Sequence, residues 1–277
     1  MRSISLTPLE IEALVKEVSL QNLKKDPLTN PYESLRVKDK DIFFVLHTTG
    51  KMVFQESKGI DELLDTILIK ESKILIGTDE AGKGEWYGPL VVAGVGLTPD
   101  ETLELRKLGV GDSKGLSSFR IYEIGQVLRF SHIEREVRVL PPATYNKVYE
   151  HFKKEGKTLN DILSWAHTAV IHDLLERMKP EAARVVIDKF DVGGKAAENR
   201  LKTLEKFNVT IIEKTQAESE VAVAAASVLA KYIFDEQVRT LNEKFDLDLR
   251  TMNPEDVPEE VLPSVAKLHF RNVRKPT

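Results

Sequence analysis

Asp79-Glu80 stands where the apolar run Ile74-Leu75-Ile76 ends, and Gly82-Lys83-Gly84 follows at once. Carboxylate oxygens at a strand end are hard donors that suit Mg²⁺ or Mn²⁺ rather than zinc. A glycine turn with one lysine lets a phosphate backbone come close. The combination points to metal-assisted chemistry on a polyanion. Adjacent residues of a regular strand face opposite sides, so Asp79 and Glu80 converge only if the strand bends, and Gly82 and Gly84 make a bend available. Two more acids stand at similar places. Asp188 ends the apolar run Arg184-Val185-Val186-Ile187, and in α/β sheets sites gather at strand ends. Taken alone, Asp188 reads equally well as a helix cap or loop residue. Glu218 opens SEVAVAAASVLAKYIF, where a helix N-terminus favours an anion. Alone, it reads as ordinary capping. Four carboxylates in one cleft would raise each other's pKa, and divalent cations relieve that repulsion.

Gly77 to Lys83 also spells G-x-x-x-x-G-K, one residue short of a P-loop. Gly84 stands where a Ser or Thr should hold magnesium. Two carboxylates inside the loop would face the phosphates it should cradle. An ATPase is therefore disfavoured. The stretch Gly111 to Ser117 is a polar loop in which Ser113 and Lys114 are candidate phosphate contacts, with a solvated turn as the plainer reading. Trp86 and Tyr87 are suited to stacking on bases or sugars, or to partial burial in the core. The six histidines show no metal spacing, and His167 reads as a packed or capping residue.

These residues need a scaffold. Thr7-Pro8-Leu9-Glu10 starts a helix with a capping box, and Leu9, Ile11, Leu14, Val15 and Val18 give it an apolar face. A hairpin follows from Ile42–Leu46 and Met52–Phe54 around Gly50, then a short helix from Asp61 to Leu68. Residues 1–70 are expected to form a small α+β domain, and the charged run Lys70-Glu71-Ser72-Lys73 marks the boundary. Residues 71–277 are expected to form a larger α/β unit. Strands are expected at Ile74–Asp79, Pro89–Leu97, Ile133–Leu140, Arg184–Asp188 and Val209–Ile212. Helices are expected at Ser118–Arg129, Thr144–Lys153, Asn160–Met178, Lys195–Phe207 and Glu218–Val238. Antiparallel strands first, then strands alternating with helices, predict a mixed sheet covered on both faces. Small residues from Ala222 to Ala230 let the last helix lie close to the sheet. The chain ends in a basic stretch, with Lys267, Arg271, Arg274 and Lys275.

The 277 residues contain no cysteine, which rules out disulfides and thiolate metal sites and is compatible with a reducing cytoplasm. No run is apolar enough to span a membrane. The net charge of −4 argues against a generic nucleic-acid coater. It leaves room for an enzyme with a local basic strip, because bound metal restores charge where carboxylates remove it.

DEAGKGEWYGPLVVAGV resembles the signature of type 2 ribonucleases H. GDSKGLS, VVIDKF, QAESEVAVAAASVLAKY and AKLHF follow in that family's order. Glutamate as the fourth acid, DKF after the strand and the closing AKLHF are most similar to ribonuclease HIII. The N-terminal unit resembles that branch's small domain, which is like half of a TATA-binding protein. The resemblance implies a ribonuclease H-like mixed sheet flanked by helices. It implies a cytoplasmic, monomeric endonuclease that cuts the RNA strand of an RNA/DNA hybrid, leaving 3′-hydroxyl and 5′-phosphate ends. By motif match, Asp79, Glu80, Asp188 and Glu218 would be both catalytic and metal-binding, in a two-ion hydrolysis with Mg²⁺ or Mn²⁺. Gly82, Lys83 and Gly84 would meet the backbone near the cut and sense the 2′-hydroxyl, and Ser113 and Lys114 would hold phosphates. Gly115 and Gln216 stand where lysines are usual, and the segment before AKLHF is shortened. These departures bear on substrate preference, with cleavage at single ribonucleotides in DNA as an alternative. A non-catalytic hybrid-binding module is a further one.

Overall fold

The computed structural model describes residues 1–68, 73–111, 117–188, 204, 206–214 and 220–273. The first of these segments builds a four-stranded antiparallel sheet from β1 (Arg2–Ser5), β2 (Glu33–Asp39), β3 (Ile42–His47) and β4 (Lys51–Phe54), in the order β1-β4-β3-β2. Helices α1 (Pro8–Leu20) and α2 (Lys58–Ile67) supply Leu14, Val18, Ile60, Leu63 and Leu64, which share a core with Phe44, Leu46, Met52 and Phe54 of the sheet. The capping box forms as read, with Glu10 Oε2 accepting from the Thr7 backbone N–H at 2.9 Å. The apolar face of α1 is narrower than its pattern. Leu9 is 65% and Val15 45% exposed, because only the stripe through Leu14 and Val18 meets the sheet. Strands β1 and β2 are additions to the sequence reading, since neither carries a clean apolar alternation. Away from the helices, the cross-strand pairs Arg36–Val45 and Lys38–Phe43 form the open face of the sheet, with the Arg36 guanidinium over the Phe43 ring at 6.0 Å.

The expected junction falls largely on residues 69–72, outside the described residues. Beyond it lies a five-stranded mixed sheet of β5 (Ile74–Ala81), β6 (Leu90–Leu97), β7 (Glu134–Leu140), β8 (Ala183–Asp188) and β9 (Val209–Lys214), ordered β7-β6-β5-β8-β9. The three strands β5, β6 and β7 pair antiparallel, whereas β8 and β9 run parallel to β5. The helices are α3 (Pro99–Lys107), α4 (Ser118–Phe130), α5 (Pro142–Lys154), α6 (Leu159–Met178) and α7 (Val221–Phe245). Leu75, Val91, Ala93 and Val95 pack with α7 on one face. Ile76, Leu90, Val92 and Ile187 pack with α6 on the other. With both faces covered, β6 is buried along its whole length.

The small residues of α7 do what their size allows. A Cβ added at Gly77 would lie 2.2 Å from the Val223 nitrogen, so helix and strand touch backbone to backbone there. Helix α3 was not expected, although Thr98-Pro99-Asp100-Glu101 repeats the signal that starts α1, and its capping box is formed. It ties the two sheets together. Arg106 grips Glu10 with both terminal nitrogens, at 2.7 and 2.9 Å, and Leu103 packs against the N-terminal core. Most of the expected helix Lys195–Phe207 lies outside the described residues.

Candidate active site

The end of β5 carries the first two acids. The strand keeps register with β6 through Ala81–Val91, so it does not bend between Asp79 and Glu80. The left-handed turn comes later, at Gly82, with φ of +85°. The expected convergence by bending is therefore corrected: the pair alternates across the sheet. Asp79 is on the α7 side and accepts a hydrogen bond from the Ser227 hydroxyl of that helix. Glu80 is on the α6 side, where its Oε2 lies 3.2 Å from His167 Nε2. The two carboxylates still feel each other. Asp79 Oδ1 accepts from the Glu80 N–H at 2.8 Å, which turns it along the strand towards its neighbour.

Their titrations move apart. Burial, with the Glu80 charge, pushes the Asp79 carboxyl up to about 6. Burial acts on Glu80 in the same sense, but the His167 hydrogen bond and the Lys83 ammonium outweigh it and hold that carboxyl at about 2. Lys83 Nζ sits 2.8 Å from Glu80 Oε1, on the solvent side. His167 is 2% exposed and uses Nδ1 on Thr78 Oγ1 at 2.9 Å. If the hydroxyl donates to Nδ1, Nε2–H is left to face the carboxylate. His167 is thus packed, as its sequence context reads, and it also orients an acid. That role was missed because its partners lie on a strand about ninety residues earlier.

Asp188 occupies the matching position on the adjacent parallel strand. Thr78 pairs with Ile187, so Asp79 and Asp188 each stand one residue beyond the same rung. Neighbouring strands are about 4.8 Å apart. The Asp188 side chain, and Glu218, Ser113 and Lys114 entirely, lie outside the described residues. Glu218 precedes α7, whose described start is Val221, with Glu220 as its cap. Among the described residues no group of three or more potential metal ligands is gathered.

The turn after β5 differs along its length. At Gly82 a Cβ would lie 2.2 Å from Pro89 O and 2.8 Å from the Phe234 ring, so only glycine fits. At Gly84 a Cβ would meet nothing within 4 Å, so the fold itself does not demand glycine there. Trp86 and Tyr87 pack partly against the α7 core. Lys267, read as part of a basic end, is instead 1% exposed and buried beside this turn.

A family model described as Ribonuclease HII matches residues 76–253. Ribonuclease HIII of Chlamydia felis is 32% identical, with 91% of this chain and 93% of that protein covered. Ribonuclease HIII of Streptococcus pneumoniae is 29% identical over 99% of both chains. Among solved structures, Bst-RNase HIII in complex with Mn²⁺ superposes with a TM-score of 0.63 at 24% identity, covering 98% of this chain and 96% of that one. RNase HII from Archaeoglobus fulgidus, solved in a complex with PCNA, has a TM-score of 0.55 at 32% identity, with 74% and 98% covered.

Proposed function

The chain belongs to the ribonuclease HII family, the type 2 ribonucleases H, and is most like ribonuclease HIII; on that premise we propose that it is a metal-dependent endonuclease cutting the RNA strand of RNA/DNA hybrids. The observation that carries this reading is the placing of Asp79, with Glu80 next to it, and Asp188 at the ends of adjacent parallel strands. A buried carboxylate repelled by its neighbour is a site that gains from a divalent cation. The donors are oxygens only, which fits Mg²⁺ or Mn²⁺, and the structurally similar Bst-RNase HIII was solved with Mn²⁺. Asp79, Glu80, Asp188 and Glu218 would hold the ions. Bound there, divalent cations would lower the pKa of the attacking water and stabilise charge on the departing oxygen.

In the reaction, water adds to phosphorus, the P–O3′ bond breaks and a proton reaches the 3′-oxygen. The ends are a 3′-hydroxyl and a 5′-phosphate. The protein's own groups prepare this. Ser227 and the Glu80 N–H orient Asp79, and His167 holds Glu80. Gly84, free of neighbours, lets the turn's backbone approach a ribose, whose 2′-hydroxyl distinguishes RNA from DNA. Lys83, with Ser113 and Lys114, would hold phosphates. We assign residues 1–70 as a substrate-gripping domain, supported by the basic and aromatic residues Arg36, Lys38 and Phe43 on its open sheet face.

Two labelled duplexes test the reading, each with Mg²⁺, Mn²⁺ or EDTA. One is a full RNA/DNA hybrid and the other is DNA with one embedded ribonucleotide. Metal-dependent cutting of the hybrid alone is expected. Cutting at the single ribonucleotide would shift the assignment to RNA–DNA junctions. Tight hybrid binding without cutting in either metal would identify a binding module.

A further inference from the structure

The chain's last described segment returns to the glycine turn. Gly88 N–H donates to Val265 O at 2.9 Å, Tyr87 bridges Ala266, and Lys267 N–H donates to Trp86 O at 2.7 Å. The Lys267 side chain enters the same loop, where Nζ donates to Glu85 O at 2.9 Å and to Tyr87 O at 2.7 Å. One residue therefore satisfies three consecutive carbonyls, 85 to 87, about 180 residues away in sequence. The strap is fixed in turn by α5: Asn146 Nδ2 donates to Ala266 O at 2.9 Å, and Asn146 Oδ1 accepts from Leu268 N–H at 2.9 Å. Tyr149 stacks on His269 at 4.5 Å.

A lysine is almost never fully buried unless it is paired, because desolvating its ammonium is costly. Burial pulls this one down to about 7. A neutral amine still has two N–H groups, so both carbonyl bonds survive loss of the proton. If the strap needed only to fill space, an apolar side chain would do so without that cost. The bonds fall on the three residues directly after Gly84, whose other side is open. We propose that Lys267 is a positioning residue for the substrate-reading turn: it fixes residues 85–87 so that Gly84 meets the ribose in one conformation, and so contributes to ribose-over-deoxyribose selectivity. This rests on the reading of Gly82–Gly84 given above.

The absence of cysteine in the chain permits a clean test. Lys267→Cys introduces a single thiol, which can be alkylated in the unfolded protein with 2-bromoethylamine. The sulfur displaces bromide and leaves an amine at lysine length. Wild type, Lys267→Met, Lys267→Cys and the aminoethylated protein pass through the same refolding. Each is assayed on a hybrid and on the same duplex with a 2′-deoxyribose at the cut. A small misplacement at a reacting centre costs up to about a hundredfold. The expected result for Lys267→Met and for unmodified Lys267→Cys is a kcat lower by about tenfold or more with KM within about twofold and a reduced selectivity ratio, and aminoethylation of Lys267→Cys should restore both to within about threefold of wild type. Asn146→Ala, which loosens the strap and spares the lysine, should move the ratio the same way by less, and decides the matter if Lys267→Met does not fold. Wild-type kcat and selectivity in a folded Lys267→Met, or in Asn146→Ala when that variant decides, would overturn the proposal. A wild type that cuts neither duplex would instead overturn the reading on which it rests.

Discussion

The Asp79–Glu80 pair has opposite electrostatic needs on its two sides. Because Asp79 titrates at about 6 when folded against 3.8 ordinarily, the folded state binds its proton more tightly than the unfolded one. Stability in EDTA should therefore fall as pH rises from about 4 to about 6, and this deficit, about 3 kcal/mol, persists above that. Asp79→Asn should raise the melting temperature at pH 7 in EDTA and remove most of that slope, while abolishing cleavage; calorimetry at pH 5 and 7 checks it. His167→Leu leaves Glu80 without its inner partner. About a 10- to 100-fold loss in activity is expected, with a higher metal requirement, since partners that orient ligands carry effects of that size. A metal titration of kcat measures it, and an unchanged titration would remove His167 from the site. The placing of Asp79, Glu80 and Asp188 at strand ends, and the turn at Gly82, were legible because runs of adjacent residues announce them. His167 and Lys267 were not, because their roles are defined by partners about 90 and 180 residues away. A lysine near a chain end looks like surface until the fold buries it.

Among elements, the contact of α7 with β5 is the least tolerant. Gly77→Ala drives a methyl into the backbone of Val223, which no rotamer can relieve. About 3 kcal/mol of destabilisation is expected, from overpacking of this kind. Activity should fall beyond what unfolding explains, because Ser227 would move away from Asp79. Denaturant melts paired with kcat separate the two effects. The positions of α4, α5, α6 and all five strands of the larger sheet could be read to within a few residues, from apolar periods and from acids that end strands, whereas α7 runs on past the expected Val238 to Phe245. Helix α3 was missed although Thr98-Pro99-Asp100-Glu101 announces it as plainly as Thr7-Pro8-Leu9-Glu10 announces α1. Its short, charged run carries no apolar stripe, since it buries only Thr102 and Leu105. Strand β2 interleaves polar residues along an open face, and its bulge at Glu33–Leu35 blurs the period of two.

At the scale of the whole molecule, a chain of net charge −4 must approach a polyanion, so local cations have to do the steering. The open face of the N-terminal sheet offers Lys38 and Lys51. Lys38→Gln with Lys51→Gln should raise KM for the hybrid several-fold, leave kcat near wild type and reduce the salt slope of binding by about two. Binding isotherms across a salt series measure this, and an unchanged slope would give the domain another task. Full deletion of residues 1–70 is a blunter probe, since it strips Leu103 of its packing and leaves Arg106 without the Glu10 carboxylate, which is 1% exposed.

The strap through Lys267 also has a consequence in time. A ribosome releases the chain from its N-terminus at about 5–20 residues per second. The sheet and its strand-end acids can begin to assemble while the tail is still inside the exit tunnel. The turn proposed to meet the ribose cannot be set until Val265, Ala266 and Lys267 emerge, long after the strands that flank it. A nascent copy would thus carry its assembled sheet before it has a finished reading loop.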